Sequence, residues 1–100
     1  MAEIIWTLAA SQDLQNVFES LERMRPGAGE AFVMNIEAQL ELVKLFPRMN
    51  RLYLPPFRKL RLIGIYGLFY AVENRGIVVH AVVDLRRDIA NLRRRLLGDE

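Results

Sequence analysis

The stretch "RKLRLIGIYGLFYAVENRGIVVHAVVD", residues 58–84, predicts three consecutive β-strands. In 58–63, leucines alternate with basic residues, which is the two-residue period of a half-buried strand. The same period over 65–72 puts two tyrosines on one face, and 77–84 is apolar enough for a central strand buried on both faces. The residues "ENRG" (73–76) end in glycine and predict a hairpin turn. The stretch therefore predicts a small antiparallel sheet.

One short strand and two helices are predicted before this sheet. "EIIWTL" (3–8) is β-branched and aromatic, as strands are, and Ser11 or Asp13 is expected to cap the helix after it. Apolar residues recur at helical spacing on both sides of "RPGAG" (25–29), which predicts an αα-hairpin. Pro47 ends the second helix, and 47–57, with three prolines, is expected to be a linker.

The last residues of the chain combine an apolar stripe with five arginines. Four apolar residues repeat at helical spacing: Leu85, Ile89, Leu92 and Leu96. Asp84 is expected to cap this helix, and Arg93, Arg94 and Arg95 fall on its flanks and back. The full order is β-α-α-β-β-β-α, which predicts an α+β fold with an antiparallel sheet packed against a helical hairpin and a C-terminal helix. The other face of the sheet is expected to stay concave and open to solvent.

The composition indicates a single globular domain over residues 1–100, with 52% hydrophobic and 26% charged residues. The net charge of +2 divides into −4 over residues 1–46 and +6 over 47–100, so an anionic partner is expected. The chain has no cysteine, its start lacks the basic segment of a signal peptide, and no apolar run approaches the ~20 residues of a membrane span. These features indicate a cytoplasmic protein that does not enter a membrane.

The candidate chemistry is cationic. His80 is the only histidine, and a packing role is favoured for it; without a His or Cys cluster, no metal site and no cofactor are expected. Tyr66 and Tyr70 either pack against the sheet or stack on a base or a partner side chain. Four arginines from two segments are expected to form an anion site: Arg58, Arg61, Arg86 and Arg87. Arginine grips phosphate well but is a poor acid or base, so this cluster alone is an incomplete nuclease.

Three segments carry a resemblance to the RelE/ParE family of bacterial type II toxins. "IIWTLAASQDLQNVFESLER" resembles the family's first strand and helix, and "GEAFVMNIEAQLELVKLFP" resembles its second helix. "FRKLRLIGIYGLFYAVENRGIVVHAVVDLRRD" is similar to the family's core signature, in which an arginine strand, a tyrosine strand and a turn precede an apolar strand that runs into "RRD". The resemblance covers nearly the whole chain and implies a toxin that a cognate antitoxin wraps and neutralises.

Within the family, RelE-like members cut messenger RNA on the ribosome, whereas ParE-like members inhibit DNA gyrase. Here Asp84 stands where many members have histidine, no tyrosine follows Tyr70 and no histidine follows His80. These departures favour the ParE-like branch, with gyrase as target and the toxin assembled with itself or with its antitoxin. The antitoxin is expected to dock on the apolar faces of the two helices and on the basic second half of the chain, with contacts at five residues: Leu14, Phe18, Phe32, Arg61 and Arg86.

Two alternatives stay open at this point. One is a ribosome-dependent ribonuclease that holds phosphate with Arg61, Arg86 and Arg87 and takes Asp84 or a ribosomal group as base, so that Arg61, Asp84 and Arg86 are the catalytic candidates. The other is a nucleic-acid-binding module without toxicity, whose binding would weaken steeply with salt.

Overall fold

The computed structural model describes residues 3–87 and 89–98, which form four strands and three helices. In chain order the elements are β1 (Ile4–Trp6), α1 (Leu8–Met24), α2 (Ala28–Leu45), β2 (Phe57–Arg61), β3 (Tyr66–Glu73), β4 (Gly76–Asp84) and α3 (Ile89–Leu96). The predicted order of elements and the α+β class are confirmed. Within the described residues, no helix combines the length and the apolar character needed to cross a membrane.

The four strands form one sheet in the order β1-β4-β3-β2. The β2–β3 and β3–β4 pairs are antiparallel, as predicted, but β1 lies parallel to β4, with Ile4–Trp6 beside Ile77–Val79. The sheet is therefore mixed. The reason is that α1 carries the chain toward one end of the sheet and α2 returns it, so that β2 runs in the same direction as β1. Two hairpin connections later, β4 runs in that direction again.

Both faces of the sheet are covered. The helical hairpin packs on one face, where Leu68, Tyr70 and Val79 join Phe32 and Ile36 in a first core. The expectation that the opposite face stays open is wrong, because a second core fills it. That core contains these residues of the sheet and α3: Phe57, Phe69, Ala71, Ala81, Val83, Leu92 and Leu96. Since β3 and β4 are the inner strands, their side chains are buried on both sides.

The start of α1 differs from the predicted one, and the cap of α2 comes from another helix. Thr7 caps α1, because its hydroxyl accepts a hydrogen bond from the N–H of Ala10 at 3.1 Å, and both predicted caps lie inside the helix. The carboxylate of Glu22, near the end of α1, accepts the N–H groups of Gly27, Gly29 and Glu30 and so caps α2. These bonds, the one from Gly27 above all, lower the pKa of Glu22. One side chain thereby joins the two helices.

Candidate functional site

Most of the predicted cationic residues lie at the end of the sheet where β2 and β4 finish and β3 begins. We call Arg61, Tyr66, Asp84, Arg86 and Arg87 the arginine edge. Arg61 pairs with Gly67, and Tyr66 pairs with Asp84, so β3 separates Arg61 from the residues after β4. Because side chains alternate along a strand, Arg61 lies on the α3 face, whereas Tyr66 and Asp84 lie on the hairpin face. The arginine edge therefore extends over both sides of the sheet's end.

Asp84 organises the turn that follows β4. Its side chain is only 7% exposed; Oδ1 accepts the N–H of Arg86 at 2.8 Å, and Oδ2 lies 3.3 Å from Nε of Arg87. Burial raises the pKa of Asp84, but the Arg86 N–H bond and the charges of Arg86 and Arg87 outweigh it, so the pKa lies below its ordinary value. The predicted cap of the last helix is wrong, because this carboxylate bonds two residues ahead, as in an Asx turn, and not to α3.

Arg86 and Arg87 remain available to a partner despite these ion pairs. Their side chains are 67% and 77% exposed, and a guanidinium has five N–H donors, of which Asp84 engages only part. Arg61, on the opposite face, is also exposed. The arginine edge thus presents three cationic side chains, two of which are held beside one buried carboxylate.

Arg58 and Tyr70 hold the linker instead of joining the arginine edge. Nη1 of Arg58 donates to the carbonyls of Arg48 and Asn50, at 3.1 and 2.8 Å. The hydroxyl of the fully buried Tyr70 donates to the Pro47 carbonyl at 2.8 Å and accepts from the Asn50 amide at 3.1 Å. Burial raises the pKa of Tyr70. Tyr70 therefore cannot stack on a base or a partner, and Arg58 lies on the face opposite Arg61 with a guanidinium nitrogen already engaged.

The apolar residues assigned to antitoxin binding point mainly inward. Phe32 is fully buried, and its ring meets that of Tyr66 edge-on with centroids 5.1 Å apart. Leu14 is half-buried against the first core, and Phe18 is half-buried where the helices cross at Gly29. The hairpin therefore uses its predicted apolar face to cover the sheet. Large apolar side chains remain exposed at the end of α2 and in the linker: Leu42, Leu45, Phe46, Met49 and Leu52.

His80 packs against the second core, as favoured from the sequence. It sits at an irregularity in the β3–β4 register, and its ring meets Phe57 edge-on with centroids 5.2 Å apart. Its Nε2 lies 2.9 Å from a carboxylate oxygen of Glu73, and this hydrogen bond is the main reason that the pKa of Glu73 is lowered. His80 is separated from Asp84 along β4. Among the described residues, no group of His, Cys, Asp and Glu side chains is suited to hold a metal ion.

The bridge between Asp13 and Arg95 was not foreseen from the sequence. The guanidinium of Arg95 binds both carboxylate oxygens of Asp13 and donates to the His80 carbonyl at 2.7 Å. Asp13 also accepts the N–H of Val82 at 3.0 Å. Arg95 therefore ties α3 to α1 and β4, a role that its neighbour Arg94 does not share. No sequence pattern marks this contact, since the two residues are 82 positions apart.

The bridge borders a cleft of about 360 Å³ between α1, the end of β4 and α3. Its lining includes Asn16 and Ser20 from α1 and Asn91 from α3. Tyr66, Asp84 and Arg87 of the arginine edge also line it, so the cleft opens beside that edge.

Comparison with known proteins gives the fold a family. No protein with a curated function matches the sequence. A solved structure of the chromosomal ParDE toxin–antitoxin system from P. aeruginosa is similar to this chain, with a TM-score of 0.72 and 19% identity over 85% of this chain and 97% of that one, which shows a common fold. The family model for the ParE toxin of type II toxin–antitoxin systems matches residues 4–89. Since that match spans most of the chain, this protein belongs to the ParE toxin family.

Proposed function

We propose that this toxin arrests growth by inhibiting DNA gyrase through the arginine edge, and that a cognate antitoxin neutralises it. Membership of the ParE family supports a toxin of a type II system. The observation that carries the mechanism is the exposure of Arg86 and Arg87 beside a carboxylate that is already engaged. An edge of this kind has charge to offer an anionic surface but little proton-transfer chemistry, so it acts by binding.

Ribonuclease chemistry receives less support from the same residues. Cleavage of RNA needs a base for the 2′-hydroxyl and an acid for the leaving oxygen, in addition to charge that stabilises the transition state. The lowered pKa of Asp84 makes it a weak base, and its oxygens are bonded to Arg86 and Arg87. His80 is engaged with Glu73 farther along the sheet. Binding to a protein surface needs only the charge.

The antitoxin contact is assigned to the exposed apolar stretch at the end of α2 and in the linker. Its five large apolar side chains, from Leu42 to Leu52, are 45–62% exposed, and Arg48 and Arg51 are exposed among them. An acidic amphipathic segment would bury the apolar side chains and pair with the arginines. Segments of this composition are typically disordered when free and fold as they dock.

The target is tested with purified protein in two assays. Gyrase supercoiling is expected to be inhibited in proportion to protein concentration, while ribosome-bound messenger RNA shows no cuts phased with codons. Codon-phased cuts without loss of supercoiling would contradict the proposal and favour the ribonuclease. Binding to DNA with a steep salt dependence and no effect on gyrase would favour the nucleic-acid module.

The arginine edge is tested by growth after induction of a triple variant. Arg86→Gln and Arg87→Gln are combined with Asp84→Asn, so that no buried carboxylate loses its partners and the turn keeps a side-chain oxygen. Growth arrest is expected to disappear while circular dichroism stays unchanged. The control, Arg93→Gln with Arg94→Gln, removes two exposed charges from α3 and is expected to remain toxic. If the triple variant still kills and the control is harmless, the target binds α3 instead.

The antitoxin surface is tested by calorimetry with the antitoxin encoded beside the toxin. Phe46→Ser with Leu52→Ser is expected to weaken binding and to reduce the negative heat-capacity change that burial of apolar surface produces. Met24→Ser, at a side chain that is 79% exposed at the end of α1, serves as control. Equal losses in both variants would show that this stretch is not the docking surface.

A further inference from the structure

Among the residues that the structure describes, the end of β4 has no neighbouring strand on one side. β4 spans nine residues, but β1 pairs only with Ile77–Val79. The N–H of Leu85 donates to the carbonyl of Ile65 at 2.8 Å. This bond shows which residue pairs of the β3–β4 ladder are hydrogen-bonded and which are not. Because hydrogen-bonded and non-hydrogen-bonded pairs alternate along an antiparallel ladder, the backbone groups of Val82 and Asp84 point away from β3, toward the β1 side.

Two of these backbone groups have no hydrogen-bond partner within residues 3–87 and 89–98. The N–H of Val82 is taken by the carboxylate of Asp13. The carbonyl of Val82 and the N–H of Asp84 remain unpaired among the described residues. Both groups border the cleft between α1 and α3, which Val82 and Asp84 help to line.

The cleft has the size and the polarity of a site for a polypeptide backbone. The volume of about 360 Å³ lies within the range of ligand-binding clefts in proteins. The charged groups of its lining neutralise one another in pairs, since Asp13 binds Arg95 and Asp84 binds Arg87. The uncharged donors and acceptors are those of Asn16, Ser20, Tyr66 and Asn91. A lining of this kind suits a ligand rich in amides better than a free anion.

We propose that this cleft binds an extended segment of another polypeptide, which pairs with the open end of β4 as an added strand. One extended residue, placed beside Val83 in a parallel register, would donate its N–H to the Val82 carbonyl and accept from the N–H of Asp84. The exposed guanidinium of Arg87, at the mouth of the cleft, favours an acidic side chain in that segment. The site shares Tyr66, Asp84 and Arg87 with the arginine edge, but peptide binding there does not depend on gyrase as the target.

The test uses the full chain and a blocked peptide, acetyl-AVDVA-amide, followed by amide NMR. The peptide is expected to bind in roughly the millimolar range, because it makes few hydrogen bonds, and to shift the Asp84 amide signal and slow its exchange with solvent. The same peptide with N-methyl groups on its three inner residues is expected to bind about tenfold more weakly, since the Val82 carbonyl then loses its donor. Binding of the acidic peptide is expected to weaken as salt is added, because salt screens its attraction to Arg87. The asparagine analogue, acetyl-AVNVA-amide, is expected to bind more weakly, and its affinity should not change with salt.

A protein variant closes the cleft without replacing any residue of the arginine edge. Asn16→Phe fills it from α1 and is expected to abolish peptide binding, whereas Gln15→Phe, on an exposed position outside the cleft, leaves binding unchanged. Both variants are checked for folding by their amide spectra. Equal binding of the N-methylated peptide, an Asp84 amide that does not respond, or full binding by Asn16→Phe would each overturn the proposal. Because these readouts involve no gyrase, they succeed or fail independently of the growth assay.

Discussion

Replacement of Gly29 by alanine probes the crossing of α1 and α2. An added Cβ would lie 2.7 Å from the backbone oxygen of Phe18, 2.8 Å from Cδ1 of the same residue and 2.9 Å from Cγ of Glu22. Ordinary van der Waals contact begins at 3.4 Å, so the distance to the backbone oxygen is about 0.7 Å too short. The Phe18 ring and the Glu22 side chain can rotate away, but the backbone oxygen cannot. The helices would therefore have to move apart.

The sign of the effect follows from two opposing contributions. Alanine is favoured over glycine in a helix by up to about 1 kcal/mol. Overpacking of a tight contact costs roughly 1–3 kcal/mol, and separation of the helices would also strain the Glu22 cap of α2. Gly29→Ala is therefore expected to destabilise the protein by about 1–2 kcal/mol, although alanine usually stabilises a helix. For a domain of this size, that corresponds to a loss of roughly 5–10 °C in Tm.

Urea denaturation followed by circular dichroism measures the free energy of unfolding directly, with an unchanged m-value as a check on two-state behaviour. Ala31→Gly, at an exposed position of the same helix, gives the propensity contribution separately and is expected to cost about 1 kcal/mol. If Gly29→Ala raises the free energy of unfolding by the amount that Ala31→Gly lowers it, the two helices do not approach closely at Gly29, and the expected destabilisation is refuted.

Three further outcomes are expected. Leu92→Ala empties a site that is 2% exposed in the second core and should cost about 2–5 kcal/mol in denaturant unfolding; a change below ~1 kcal/mol would mean that α3 is not docked. Arg95→Gln should lower the free energy of unfolding by only about 1 kcal/mol, because solvent screens the ion pair of a side chain that is 36% exposed. Arg94→Gln should change it by less than ~0.5 kcal/mol, and equal effects of the two substitutions would argue against the bridge to α1. The folded-state pKa of Asp84 lies below 3.8, so its ion pairs stabilise the fold above that pH and are lost as the pH falls through the lower folded value. Asp84→Asn should therefore weaken the decline of Tm below about pH 4, and an unaltered decline would contradict the assigned role.

The order of elements could be read from the sequence because it depends on local patterns. The alternation in 58–63, the apolar run in 77–84 and the helical spacing in the two hairpin helices each survive in the structure. The direction of β1 could not be read, since it depends on where α2 returns the chain. The start of α1 could not be read either, because Thr7, Ser11 and Asp13 are all suitable caps and only the fold decides between them. The cap of α2 could not be read because Glu22 provides it from α1.

The positive charge of the candidate site could be predicted from the sequence, but which residues form the site could not. Arg61, Arg86 and Arg87 do lie at one end of the sheet, because strand pairing brings the ends of β2 and β4 to the same side. Arg58 and Tyr70 do not lie with these arginines. Side chains alternate between the two faces of a strand, and both of these side chains lie on the face where they bond to the linker. Composition alone could not separate these arginines from one another.

The sequence by itself determined the element types, the two-faced burial of the strand predicted over 77–84 and the basic character of the second half of the chain, since periodicity and charge are local properties. Only the tertiary structure decided which arginines face solvent and which are engaged, because Asp13 and Arg95, 82 positions apart, meet only when α3 folds back over the sheet. The open end of β4 is likewise a tertiary property. It exists because a three-residue strand lies beside a nine-residue one, and backbone groups without a neighbour become visible only once the strands are in register.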